Sequence, residues 1–188
     1  MIWPPPVTLA GQHVTLEPLA QSHAADLVTA ARALGHLWYT SIPKPEDIPA
    51  EIDARTATPD MCAFAQIDAT GTAVGMTTYL HTSKADRRVE IGATWLAPQA
   101  QRGPLNSEAK LLLLTHAFET LDCVRVEFRT HRLNHQSRRA IERLGAQLEG
   151  ILRNHMVMPD GHLRDTAVYA IIANEWPVIK QHLTAKLS

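Results

Sequence analysis

The stretch Trp95–Phe118, WLAPQAQRGPLNSEAKLLLLTHAF, reads as the end of a strand, a tight loop and the start of a helix. A helix amino terminus presents unpaired N–H groups and the positive end of the helix dipole, so such a junction is suited to an anion. The turn itself is Gln101-Arg102-Gly103-Pro104-Leu105-Asn106. Gly103 is expected to let the chain turn tightly, and Asn106 is the residue expected to tolerate a positive φ. Pro104 fixes its own φ and removes one donor. An anion is then left to the remaining N–H groups, including that of Leu105, to the Arg102 guanidinium and to the Ser107 hydroxyl. A plain loop leading into a buried helix is the competing reading.

The helix is expected from about Ser107 to Leu121, with Asn106 or Ser107 as its cap and Glu108 in its first turn. Its LLLL centre is apolar nearly all round, which calls for packing on a sheet. On the amino-terminal side, HVTLEPL alternates as a strand and QSHAADLVTAARA follows as a helix. HLWYTSIPKPEDIPAEIDARTATPD breaks into a loop and a short helix. MCAFAQID, AVGMTTYLH and RRVEIGATWL then read as a three-strand meander. On the carboxyl side, CVRVEFRT alternates Val124, Val126 and Phe128 against Arg125, Glu127 and Arg129. NHQSRRAIERLGA opens on an Asn134 cap and ends at Gly145, a left-handed exit. LEGILRNHMVM and LRDTAVYAII are strands joined by the turn PDGH, before a last helix from NEWPVIKQHL. The class expected is α+β with one mixed sheet, in a single domain over residues 1–188.

The 188 residues carry a formal net charge of −1, so no global basic field exists for nucleic acid or an anionic membrane surface. Seven arginines fall between Arg125 and Arg153, but Glu127, Glu142 and Glu149 lie among them, which makes a mixed face. No apolar run approaches the ~20 residues of a membrane span, and a cytoplasmic location is the default expectation. Cys62 and Cys123 form no C-x-x-C pair, which argues against a disulfide framework or a thiolate zinc site. His131 and His135 are four apart, but the Asn134 cap between them breaks the helical face a metal pair needs, so no metal is expected.

Together VEIGATWL, QRGPLN, NHQSRRAIERLGAQLEGILR, DGHLRDTAVYAII and the closing EWP resemble, in order and spacing, the GNAT superfamily of acetyl-CoA-dependent N-acyltransferases, in its ribosomal-protein N-terminal acetyltransferase branch, the RimJ/RimL type. The likeness covers most of the chain. The family's Q/R-x-x-G-x-G/A loop is matched by residues 101–106 with both final glycine positions altered. The resemblance implies a mostly antiparallel mixed sheet flanked by helices and splayed between VEIGATWL and VRVEFRT, with the pantetheine arm of the cofactor in the gap.

It further implies site residues. Backbone groups of Thr94, Trp95 and Leu96 would bond the cofactor amides, and Trp95 also reads as a core aromatic. Residues 101–107 would take the pyrophosphate, with Arg138 or Arg139 as further phosphate partners. Asn134 would bond the pantetheine as well as cap its helix. Ser137, one turn on, would support the departing thiolate. The acceptor amine must lose a proton, and Glu90 is the candidate base, since strict alternation places it on one face with Gly92 and Thr94. Pairing with an arginine across strands is its alternative role, and Glu127 is second choice, on a face read as outward. In the irregular stretch HLWYTSIPKPED, Trp38 and Tyr39 either wall the acceptor pocket or form the lid of a local core. Acidic Glu17, Glu46 and Asp47 either attract a cationic amine or are solvated surface. The expected reaction is direct attack on acetyl-CoA by a primary amine, from a peptide N-terminus or a small molecule. The competing class is a non-catalytic CoA or acyl-CoA sensor or scaffold, and a homodimer is left open.

Overall fold

The computed structural model describes residues 3–35, 39, 40 and 42–187. A short hairpin, β1 (Leu9–Ala10) and β2 (Thr15–Pro18), precedes α1 (Ala24–Arg32) and α2 (Ile48–Ala57). Then come β3 (Cys62–Ile67), β4 (Ala73–Ser83), β5 (Arg88–Leu96), α3 (Leu105–Thr115), β6 (Arg125–His131), α4 (His135–Glu142), β7 (Gln147–Val157), β8 (Leu163–Ile172) and α5 (Trp176–Leu187). The eight strands form one sheet in the order β1-β2-β3-β4-β5-β6-β8-β7. Among the described residues, only β5 and β6 run parallel. The expected mixed sheet and meander are therefore present. β1, too short to show periodicity, is an addition.

The helices cover the two faces. Leu105, Ala109, Leu113 and Leu114 of α3 share one apolar cluster with Val89 and Ile91 of β5, Val126 and Phe128 of β6, and Trp176, Ile179 and Leu183 of α5. On the other face Leu27, Ala30, Ile48 and Ile52 of α1 and α2 pack on Ala63, Ala65, Met76 and Trp95. This is why LLLL is apolar all round: α3 lies between the sheet and α5. Its last turn widens to π geometry over His116–Thr120, where Phe118 stacks on Trp176 at 5.3 Å between ring centroids.

One expected boundary moves. The helix opens at Leu105, and Pro104 holds the cap position without a side-chain bond, so neither Asn106 nor Ser107 is the cap. Proline is favoured at helix starts because its missing N–H would find no partner there. Asn134 does cap α4, its Oδ1 accepting from Ser137 N at 3.0 Å, and Gly145 leaves that helix at φ 95°.

At Gly75 of β4 an added Cβ would lie 2.2 Å from the Trp95 carbonyl oxygen and 2.8 Å from Leu96 Cδ2. The oxygen belongs to backbone and cannot swing aside. Gly75→Ala is expected to part β4 from the end of β5 and lower stability by about 2 kcal/mol, read from urea denaturation.

Candidate active site

β5 and β6 pair only at Arg88↔Arg125, Val89↔Val126 and Glu90↔Glu127. From Ile91 and Phe128 onward the strands part. The backbone edges that face each other there have no strand partner among the described residues, while β5 stays paired to β4 and β6 to β8. The result is a wedge with its apex at Glu90 and Glu127, opening toward the Arg102 loop on one side and Asn134 on the other.

A bulge decides which way the β5 side chains point. Met76 pairs with Trp95 and Thr78 with Gly92, so Ala93 and Thr94 together face the single residue Thr77, and Ala93 takes φ 47°. One extra residue reverses the alternation. Glu90 and Gly92 share a face, where a Cβ on Gly92 would meet Glu90 Oε1 at 3.1 Å. Thr94 turns to the opposite face, where its Oγ1 lies 2.8 Å from Thr77 Oγ1 and 2.6 Å from Lys110 Nζ of α3. The expected common face of Glu90, Gly92 and Thr94 is thus corrected: the first two share it and Thr94 does not.

Glu90 is buried. His81 Nδ1 stands 2.9 Å from its Oε2 and Arg129 Nε 3.3 Å from the same oxygen, so the cross-strand pairing with arginine is real. Half the His81 side chain is exposed, which gives the buried carboxylate a route to solvent. Glu127 is also buried, which corrects its outward reading. Burial pushes its carboxyl up, but hydrogen bonds from Arg125 and Arg129 hold it below the usual range. Arg125 also forms an ion pair with Glu149.

In the loop, Arg102 carries the left-handed conformation at φ 63°. Gly103 has no positive φ, and a Cβ there would meet nothing within 4 Å. Asn106 lies inside α3, with its Oδ1 buried and without a hydrogen-bond partner among the described residues. The glycine and asparagine roles expected in this turn are therefore not the ones found. The first i→i−4 bond of α3 runs from Glu108 N to Pro104 O at 2.9 Å. The N–H groups of Leu105, Asn106 and Ser107 precede it and are left for a ligand or solvent. Gln101 ties the loop back, its Nε2 donating to Leu96 O at 2.7 Å.

Trp95 is buried in the cluster under α1 and α2, as its core role requires, and its indole Nε1 has no hydrogen-bond partner among the described residues. Arg138 turns inward, with Nε donating to the Tyr169 hydroxyl at 2.8 Å. Ser137 is half-buried beside Asn134. Tyr39 meets His131 with ring centroids 6.2 Å apart, at the open end of β6, while Trp38 lies outside the described residues. A cavity of about 370 Å³ adjoins His131, lined by Arg132, Arg153, Asn154, His162 and Asp165. No group of three His, Cys, Asp or Glu suited to a metal occurs among the described residues, and none of their helices is long and apolar enough to cross a membrane.

Two residues of α3 escaped the sequence reading. Glu108 accepts from the backbone of Gln12, His13 and Val14. Lys110 is buried beneath the bulge. Within SEAKLLLL both read as ordinary polar positions, and only the hairpin and sheet packed over them change that.

Residues 13–147 match the family model described as the acetyltransferase (GNAT) domain. A curated relative, a Bacillus subtilis protein named ribosomal N-acetyltransferase YdaF, is 30% identical over 106 residues, which are 56% of this chain and 57% of that relative. A GCN5-related N-acetyltransferase from Brucella melitensis superposes with a TM-score of 0.89 at 33% identity, over 98% of this chain and 87% of that one. RimJ of Mycobacterium smegmatis, in complex with CoA-disulfide, gives 0.81 at 25% identity over 96% and 95%. With the family model covering most of its length, the chain belongs to the GNAT family of acetyltransferases.

Proposed function

We propose that the protein moves the acetyl group of acetyl-CoA to a primary amine, a peptide N-terminus or a small amine, by direct attack in a ternary complex in the cytoplasm. The observation that carries this reading is the wedge: two parallel strands that stop pairing after three residues, next to a helix amino terminus whose first N–H groups are unspent. The dipole and the N–H groups of Leu105, Asn106 and Ser107, with Arg102, suit a pyrophosphate. Main-chain groups of Thr94, Trp95 and Leu96, with Asn134, suit an amide-bearing arm. RimJ, with its CoA-disulfide, supports the same ligand class here, and a relative named a ribosomal N-acetyltransferase favours an amine of a ribosomal component as acceptor.

Direct attack is favoured because burial pushes the thiols of Cys62 and Cys123 up to about 11, far from a nucleophilic thiolate. Glu90, at the wedge apex, draws the proton from the amine through His81 or water. The Ser137 hydroxyl donates toward the departing thiolate. Thiol release from acetyl-CoA, followed against a panel of peptides and small amines, tests the reading. Release that depends on the amine is expected, and Glu90→Gln is expected to slow it about 100-fold. Acetyl-CoA binding without release on any amine would favour a sensor over an enzyme, and no binding would remove the cofactor.

A further inference from the structure

Lys110 stands in the second turn of α3, 6% exposed, with Nζ 2.6 Å from Thr94 Oγ1 and 3.0 Å from Thr77 Oγ1. Those two hydroxyls are its hydrogen-bond partners among the described residues, and burial lowers its amine from 10.5 to about 7. The titratable groups around it are otherwise engaged. Glu108 on its own helix is held by three backbone N–H groups. Tyr79 of β4 donates to Leu113 O and lies against His116. Glu90 of β5, and Glu127 with Arg129 of β6, form their ion pairs on the opposite side of the sheet.

The donor inventory then fixes a direction. An ammonium has three donors and no acceptor, so both threonine oxygens must accept from it. Thr77 is fully buried, and its own proton has Thr94 Oγ1 at 2.8 Å. Thr94 thus accepts twice, and its proton must go elsewhere. Gly92 O at 3.4 Å is a poor acceptor, and Thr94 is half-exposed on the stretch of β5 that β6 leaves unpaired. We propose that Lys110 is a positioning residue for the thioester end of acetyl-CoA: its ammonium makes the Thr94 hydroxyl donate into the wedge. The neutral amine has a lone pair to fill and lets that hydroxyl turn back.

This inference rests on the acetyl-CoA reading above, and binding without an acceptor keeps the two apart. In calorimetry, acetyl-CoA should bind the wild type about fivefold more weakly at pH 8.5 than at pH 6, the worth of one hydrogen bond. Lys110→Met and Thr94→Val should both bind at pH 6 as the wild type does at pH 8.5. In each the fall with pH should be smaller than in the wild type, and Thr94→Ser should restore it. Wild-type affinity and an unchanged pH profile in Lys110→Met would overturn the role of Lys110 and leave the cofactor reading standing. Failure of the wild type to bind acetyl-CoA at either pH would overturn both.

Discussion

Glu108→Ala is expected to lower the free energy of unfolding by about 4 kcal/mol, seen as a fall in Tm of about 10 °C. The Glu108 carboxylate receives Gln12 N at 2.8 Å, His13 N at 2.6 Å and Val14 N at 2.9 Å. Those donors line the turn between β1 and β2, closed by Gly11 N to Val14 O at 2.9 Å. Charge-assisted bonds to backbone are among the stronger ones, and losing the acceptor strips three N–H groups of it at once, that of Val14 in a buried position. Gly11 belongs to the same device, since an added Cβ would lie 2.5 Å from Glu108 Cδ. Glu108→Gln, which keeps one oxygen acceptor, should cost less than the alanine change. A loss below 1 kcal/mol in Glu108→Ala would show that the hairpin holds without the carboxylate.

The second large effect has the opposite sign. Lys110→Met is expected to raise stability at pH 6 by about 3 kcal/mol, because a buried ammonium without a counter-ion is costly and methionine fills a similar volume. Burial depresses the folded-state value from 10.5 to about 7, so between these limits the unfolded chain binds more protons than the folded one. Wild-type stability should therefore rise with pH through that window. The penalty is full below about pH 7 and relieved by about pH 10.5. The methionine variant should lack that rise. Urea denaturation at pH 6 and pH 9 for both proteins separates the cases, and equal stabilities at both pH values would refute a buried charge at this position. A residue kept at such a cost fits the role assigned to it beside the wedge, where stability gives way to function.

The broad plan was readable because it rests on period. Alternation marked β6, where Val126 and Phe128 are buried in the core, and the all-apolar LLLL pointed to a helix packed on a sheet. The Asn134 cap and the Gly145 exit are local chemistry, so they too were visible in the residues. What failed were features that a single residue decides or that tertiary packing creates. Nothing in GATW marks Ala93 as a bulge, yet that residue moves Thr94 across the sheet. Glu127 reads as surface by its neighbours, but arginines fold over it. In the loop, the positive φ fell on Arg102 while Gly103 took an ordinary conformation, so residue type misled about which position turns.

Because three residue pairs join β5 to β6, the sheet behaves as two plates, β1 to β5 and β6 to β8, sharing a narrow seam. Arg129 rivets that seam, reaching Glu90 on one plate at 3.3 Å and Glu127 on the other at 2.9 Å. The spacing of the plates is consequently set at the end far from the Arg102 loop, and a substitution at the rivet bears on it from there. Strands parted by their own pairing pattern need no ligand to separate them, and preorganisation of that kind lowers the ordering cost of binding.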